Sequence, residues 1–174
     1  MMKYVIGIII AIVVFVVIFL NLTSSVLWPW YSFPSNGIKA VKYYNKEIEM
    51  IAQKHEINPD WLRAVMFTEN TLNHRFGLGE FAYYIGLSDK KPPMNIDAKI
   101  WSDMENQKFD VNNAYQNIEI SAILLKKLSR TQDNSDDLLA IGSLWYDINS
   151  NEINVFGVRI DDAYRRKLWE DNMH

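Results

Sequence analysis

The sequence predicts a mainly α-helical domain with a loop or small hairpin region, preceded by one N-terminal transmembrane helix. The first 24 residues contain an unbroken apolar run, from Tyr4 to Leu20. From residue 36 onward, apolar residues recur at the three- and four-residue spacing of amphipathic helices. No segment alternates between apolar and polar residues for long enough to form a substantial sheet.

The apolar run approaches the ~20 residues that cross the hydrocarbon core of a bilayer. Lys3 precedes the run and the next basic residue is Lys39, so the positive-inside rule places the amino terminus in the cytoplasm. We therefore expect residues 1–24 to form a single-pass membrane anchor, with the domain outside the cytoplasm. The alternative is a cleavable signal peptide, whose apolar region would be shorter and followed by a better cleavage site.

A short linker is predicted over residues 25–35, which hold two prolines and several turn residues. The domain follows over residues 36–174. Ser35 or Asn36 is expected to cap its first helix, whose apolar positions continue to Ala52.

Asn58 and Pro59 predict the start of the next helix, since a capping residue is followed by proline at the first helical position. Residues 71–93 hold three glycines and a Pro-Pro pair, which indicates loops with a small hairpin near 81–87. The remaining predicted helices are a short one over 96–104, a long one over 113–129, one capped by Ser135 and running to about Tyr146, and one from Asp161 through Trp169.

Composition limits the possible partners. The 174 residues carry a formal net charge of −3 and no basic stripe, so we expect no nucleic-acid partner. Cysteine is absent, and the three histidines lack metal-ligand spacing. We therefore expect no metal and no cofactor.

Glu69 stands where the pattern of its helix calls for an apolar residue. It shares a stripe with three apolar side chains, Leu62, Val65 and Met66. Burial and the negative end of the helix dipole both favour the protonated form of a carboxyl at this position. A carboxylic acid that keeps its proton near neutral pH suits the protonation of a glycosidic oxygen. The alternative is a Glu69 that turns to solvent or pairs with Arg63 or Arg75.

Four segments, in this order, resemble the lytic transglycosylase family with the lysozyme-like fold, the soluble-transglycosylase and goose-lysozyme group. The first reads INPDWLRAVMFTEN and is similar to the helix ending in the family's catalytic glutamate, which maps that role onto Glu69; Asn70 replaces the usual serine. The second reads PPMNIDAKIW and is similar to the Gly-Leu-Met-Gln-Ile segment of the substrate groove. Here the segment reads Pro93-Met94-Asn95-Ile96, so the glycine and the glutamine are both replaced.

The third segment reads FDVNNAYQNIEISAILLKKL and resembles the helix with the family's Asn-Ile pair, at Asn117 and Ile118. The fourth reads LLAIGSLWYDINSNEI and resembles the Ala-Tyr-Asn-Ala-Gly segment. Tyr146 is kept there, Asp147 replaces the asparagine, and the glycine is missing. The resemblance spans about residues 40–170.

This resemblance implies a lysozyme-like domain that cleaves peptidoglycan between N-acetylmuramic acid and N-acetylglucosamine. In the family, one glutamate acts first as acid and then as base, drawing a proton from the muramyl 6-hydroxyl to give a 1,6-anhydro product. Glu69 is thus the expected catalytic residue. The expected substrate-binding residues are Met94, Asn95, Asn117, Tyr146 and Tyr84.

Each of these assignments has a competing structural explanation. Asn95 could cap the helix over 96–104, and Tyr146 could be a core tyrosine at a helix end. The aromatic cluster Phe81, Tyr83 and Tyr84 could stack on sugars or simply anchor a loop. The tryptophans at 61, 101 and 145 are expected to serve packing.

Three alternatives to the transglycosylase remain open. A hydrolytic muramidase would need a second carboxylate to position water, with Glu80, Asp97 and Asp103 as candidates. A non-catalytic module would bind glycan strands or a partner protein. A phage-type endolysin would have to leave the membrane. The expected partners are peptidoglycan strands, the membrane through the N-terminal helix, and an envelope secretion or conjugation machine.

Overall fold

The computed structural model describes residues 6–14, 34–71, 85–86, 90–97, 109–131 and 137–170. Over these ranges the chain is mainly helical, as the sequence predicts. Residues 6–14 form a helical stretch. The elements that follow are α1 Pro34–Tyr43, α2 Asn45–His55, α3 Pro59–Thr71, β1 Lys90–Lys91, β2 Ile96–Asp97, α4 Ala114–Arg130, α5 Leu138–Tyr146 and α6 Val155–Arg166.

The predicted membrane anchor and linker fall largely outside the described residues. Within the described ranges, no helix combines the length and the apolar character needed to cross a bilayer. The anchor over residues 1–24 therefore stays a prediction. The domain itself begins earlier than expected, because α1 starts at Pro34, inside the predicted linker. Proline is tolerated there because the first turn of a helix has no use for its missing N–H.

The single helix predicted up to Ala52 is two helices, separated by a turn at Tyr44. Their apolar positions are nevertheless buried as expected, including Val41, Ile48 and Ile51. The second helix ends at His55, and the capping residue Glu56 has a left-handed backbone that directs its N–H to the carbonyls of the last turn.

Helix α3 is the centre of the domain, and α1, α2, α4 and α6 all pack against it. Leu62, Val65 and Met66 are fully buried, which confirms the stripe predicted to carry Glu69. Gly37 lets α1 cross the end of α3 closely, since a Cβ there would lie 2.7 Å from the carbonyl oxygen of Phe67. The turn of α3 that bears Glu69 is therefore fixed by the packing of α1.

The predicted helix over 96–104 needs correction at its start, because Ile96 and Asp97 form β2. This strand pairs with β1 in antiparallel register, Lys91 opposite Ile96. The hairpin predicted near 81–87 is a different segment and stays a prediction, because only residues 85–86 are described there, in a turn. Asn95 closes the turn with φ of 51°, a left-handed conformation that asparagine adopts more readily than most residues.

The long helix α4 confirms its prediction, with Asn113 as the capping residue. The next two helices begin differently from expectation. Asp137, rather than Ser135, caps α5, and α6 begins at Val155 behind the cap of Asn154 rather than at Asp161. Gly157 brings α6 so close to α5 that a Cβ would overlap the carbonyl of Leu139.

Candidate active site

The carboxyl group of Glu69 is held between two elements that are distant in the sequence. Its side chain, near the end of α3, is only 7% exposed. The indole Nε1 of Trp145, on α5, donates a hydrogen bond of 2.9 Å to Oε1. The amide Nδ2 of Asn95, in the hairpin turn, donates one of 2.6 Å to Oε2. Glu69 thus lies against α5 on one side and the hairpin on the other, rather than in open solvent.

These contacts suit proton transfer. Burial disfavours the ionised carboxyl, whereas N–H donors on both oxygens favour it, so the two influences oppose each other. Each oxygen accepts one of these hydrogen bonds, so the carboxyl group is held from two sides. The arrangement can therefore hold the carboxyl in one orientation while a proton is given up and taken back.

Asn95 was predicted to bind substrate, with a helix cap as the alternative. The helix-cap alternative is wrong, because Ile96 and Asp97 are a strand. Besides its bond to Oε2, the amide nitrogen of Asn95 donates to the backbone carbonyl of Glu69 at 3.1 Å. The amide nitrogen of Asn95 is thus bound to Glu69. The prediction that Asn95 binds substrate therefore remains for its side-chain carbonyl oxygen.

Met94 and Asn117, which were predicted to bind substrate, are both fully buried, and that role stays a prediction. Met94 belongs to the hydrophobic core. The amide of Asn117 binds only the protein's own backbone in the contacts described here: Oδ1 accepts from Met94 N, and Nδ2 donates to the carbonyls of Lys91 and Val111. In the structure, these contacts tie the hairpin to the start of α4.

Tyr146 lies next to Trp145 and is 53% exposed. Its ring stacks on that of Phe156, with centroids 5.1 Å apart and an interplanar angle of 24°. One aromatic ring supported by another, next in the chain to the tryptophan that contacts the carboxyl, can accept the apolar face of a sugar. Tyr84 lies outside the described residues, so its predicted stacking on sugars is untested.

The alternative ion pair between Glu69 and Arg63 is excluded by what Arg63 binds. Its guanidinium contacts Asp60 at 2.5 Å and also Glu49. Burial alone would lower the pKa of Arg63, but hydrogen bonds to Asp60 and Glu49 outweigh it and raise the pKa above its ordinary value. Arg75, the other candidate partner, lies outside the described ranges.

A second carboxylate for a hydrolytic mechanism is not placed by the described residues. Glu80 and Asp103 lie outside them, and Asp97 is described only by its backbone. The hydrolase alternative therefore stays open. Among the residues that the structure covers, no cluster of three or more histidine or acidic side chains could hold a metal ion.

Trp145 is the site residue that sequence reasoning missed, since it was assigned to packing. The available signal was chemical: a tryptophan in a half-buried setting needs a partner for its N–H, and it directly precedes the matched Tyr146. Trp61 shows the expected packing role, being buried in the core cluster near the start of α3.

No family model, no curated protein and no solved structure matches the chain. The resemblance to lytic transglycosylases therefore stays a prediction, and the site is interpreted from its own geometry.

Proposed function

We propose that this chain is a membrane-anchored peptidoglycan lytic transglycosylase with a lysozyme-like domain, which cleaves the β-1,4 bond between N-acetylmuramic acid and N-acetylglucosamine. The observation that supports the proposal is the buried carboxyl of Glu69 with N–H donors on both of its oxygens. A surface glutamate that served only solubility would need neither the burial nor two fixed donors.

In the first step, the protonated Glu69 gives its proton to the glycosidic oxygen. The bond from C1 of the muramyl residue to that oxygen breaks, and N-acetylglucosamine leaves with a free 4-hydroxyl. Glu69 becomes a carboxylate as this happens. The N–H groups of Trp145 and Asn95 already point at its oxygens and stabilise the charge without rearrangement.

In the second step, the carboxylate takes the proton of the muramyl 6-hydroxyl, and this oxygen attacks C1. A C1–O6 bond forms, the product is a 1,6-anhydro sugar, and Glu69 regains its proton. No water is consumed and no redox change occurs. One carboxyl therefore suffices, whereas a hydrolase needs a second group to position water.

The predicted topology agrees with this chemistry. An inner-membrane anchor over residues 1–24 and the short linker behind it would hold the domain in the periplasm, where peptidoglycan lies. Enzymes placed in this way open the cell wall locally for an envelope secretion or conjugation machine, which is the partner class we propose. The muramidase and the endolysin are the competing glycan-cleaving functions.

Product analysis tests this proposal. The full chain in detergent is incubated with purified peptidoglycan, and the released muropeptides are weighed by mass spectrometry. Anhydro-muramyl ends are expected. Reducing muramyl ends, heavier by one water, would instead assign a hydrolytic muramidase and refute the transglycosylase.

The second candidate is a non-catalytic module that binds glycan strands or a partner protein. The observation in its favour is that Met94 and Asn117, two residues matched to the family's groove, are buried in the domain's interior. Zymography separates the candidates: a clear zone on peptidoglycan supports the enzyme. Absence of clearing, where a known transglycosylase clears, supports the binding module.

A further inference from the structure

We propose that Asn117, on α4, is a positioning residue for Glu69, acting through the hairpin turn between β1 and β2. The inference rests on the proposed role of Glu69 as acid and base. Asn117 itself is fully buried and contributes no group to the reaction.

The amide of Asn117 ties three backbone groups together. Its Oδ1 accepts from Met94 N at 3.1 Å, and its Nδ2 donates to Lys91 O at 3.1 Å and to Val111 O at 3.2 Å. Two carbonyls face the nitrogen and one N–H faces the oxygen, so a single orientation of the amide satisfies all three. The side chain therefore joins the hairpin to the start of α4.

The turn between β1 and β2 has few backbone N–H groups that could stabilise it by hydrogen bonds. Its first two residues are Pro92 and Pro93, which have no N–H to donate. Asn117 holds the turn at Met94, and Asn70 holds it from α3 by donating to Pro93 O at 2.9 Å. The strands that frame the turn are only two residues long each, so these side-chain amides supply much of its support.

The turn in turn places Asn95. Asn95 follows Met94 directly, its backbone is left-handed, and its amide donates to Glu69 Oε2 at 2.6 Å. A connected path therefore runs from Asn117 through Met94 and Asn95 to the carboxyl of Glu69. If the hydrogen bond between Met94 N and Asn117 is lost, we expect the turn to shift and Asn95 to move with it. The Asn95 amide, one of the two donors to the Glu69 carboxyl, is then displaced.

Such a shift matters because proton transfer depends strongly on geometry. A misplacement of about 1 Å at a reacting group can cost on the order of 100-fold in rate. The effect should fall on kcat rather than on KM, because the Asn117 side chain is fully buried and its amide is bound to backbone groups of the protein.

The test uses Asn117→Asp, which keeps the shape and the acceptor for Met94 N but removes both donors. Asn117→Ser is a second variant without the buried charge. The matched control is Ser121→Ala, since Ser121 is equally buried on α4 and donates only to the carbonyl of Asn117 at 2.8 Å in the contacts described. We expect kcat to fall about 10- to 100-fold in both Asn117 variants, with KM changed less than about threefold, and to stay near wild type in the control.

A spectroscopic readout separates this inference from the proposed function. The indole N–H signal of Trp145, assigned by its loss in Trp145→Phe, reports the hydrogen bond to Glu69 in the full chain in detergent. In the Asn117 variants the signal should move, and in Ser121→Ala it should not. If the wild-type protein does not cleave glycan strands but the Trp145 signal still moves in the Asn117 variants, the proposed enzymatic function is refuted and the positioning role of Asn117 is retained. A folded Asn117 variant with wild-type kcat and an unmoved signal would overturn the positioning.

Discussion

The indole of Trp145 and the carboxyl of Glu69 share a hydrogen bond of 2.9 Å although 76 positions separate them in the sequence. The bond links α5 to the end of α3. Because α5 is held by the close packing of α6 at Gly157, the orientation of the carboxyl depends on three helices as well as on the hairpin.

Replacing Trp145 with phenylalanine should lower kcat about 10- to 100-fold. The change keeps an aromatic ring but removes the donor to Oε1, and a hydrogen bond to a charged group contributes about 1.5–3 kcal/mol. Initial rates on peptidoglycan across a range of glycan concentrations measure the effect. Trp61→Phe, at the other end of α3, serves as the control and should retain kcat. Equal losses in both variants would mean that Trp145 acts only by packing.

Replacing Asn95 with glycine should preserve the turn and impair turnover. Glycine adopts the φ of 51° without strain, so the variant removes the amide and leaves the backbone conformation available. We expect a loss in kcat of about 10- to 100-fold, comparable to that of Trp145→Phe. Asn95→Ala should melt at a lower temperature than Asn95→Gly, because a Cβ in the left-handed region costs about 1–2 kcal/mol. A fully active glycine variant would show that the amide does not assist Glu69.

Replacing Tyr146 with alanine should raise KM for glycan strands several-fold and leave kcat nearly unchanged. The ring is 53% exposed and supported by Phe156, and a good aromatic contact contributes about 0.5–1.5 kcal/mol. Steady-state kinetics separate the two parameters. Tyr43→Ala is the control, because this tyrosine on α1 is 79% exposed and lies far from α5 in the sequence. An unchanged KM in Tyr146→Ala would remove the tyrosine from the substrate site.

Replacing Glu119 with glutamine should destabilise the domain at neutral pH but not in acid. Burial alone would raise the pKa of Glu119, but its hydrogen bonds with Lys54 at 2.5 Å and His55 at 2.9 Å more than offset this, and the pKa lies below its ordinary value. A carboxyl with a lowered pKa stabilises the fold above its ordinary pKa of about 4.3, and this stabilisation is lost as the pH falls through the folded value.

Urea unfolding checks this expectation. The free energy of unfolding should be lower by about 1 kcal/mol in Glu119→Gln at pH 7, and the difference from wild type should disappear as the pH falls through the folded-state pKa of Glu119. Glu152→Gln, an exposed loop variant, should show no such pH dependence. A difference that persists unchanged in acid would assign the loss to packing rather than to charge.

The central helix and its carboxyl were predictable from local pattern. Pro59 behind a capping asparagine set the start of α3, and the stripe through Val65 and Met66 indicated which face is buried. The apolar spacing over residues 113–129 predicted α4 in a similar way. Each of these signals lies within a few residues of the feature that it predicts.

The partners of Glu69 were not predictable in this way. Asparagine is favoured both at helix caps and in left-handed turns, so Asn95 alone could not distinguish a helix start from a hairpin turn. Strands of two residues are too short to show alternation. Gly157 is a poor helix former, so its presence argued against a helix in this segment, although α6 begins at Val155 and has Gly157 in its first turn. The contact of Trp145 depends on how α5 packs, which no local pattern encodes.

The most direct test of the whole account is the turnover of Glu69→Gln on purified peptidoglycan. General acid–base catalysis contributes about 10²- to 10⁴-fold, so cleavage should fall by at least 100-fold. Glutamine can accept from only one of the two donors, which costs about 1–3 kcal/mol, and circular dichroism should still report a folded domain. Glu170→Gln, at an exposed glutamate, should keep full activity. A folded Glu69→Gln that cleaves glycan strands at the wild-type rate would contradict the account.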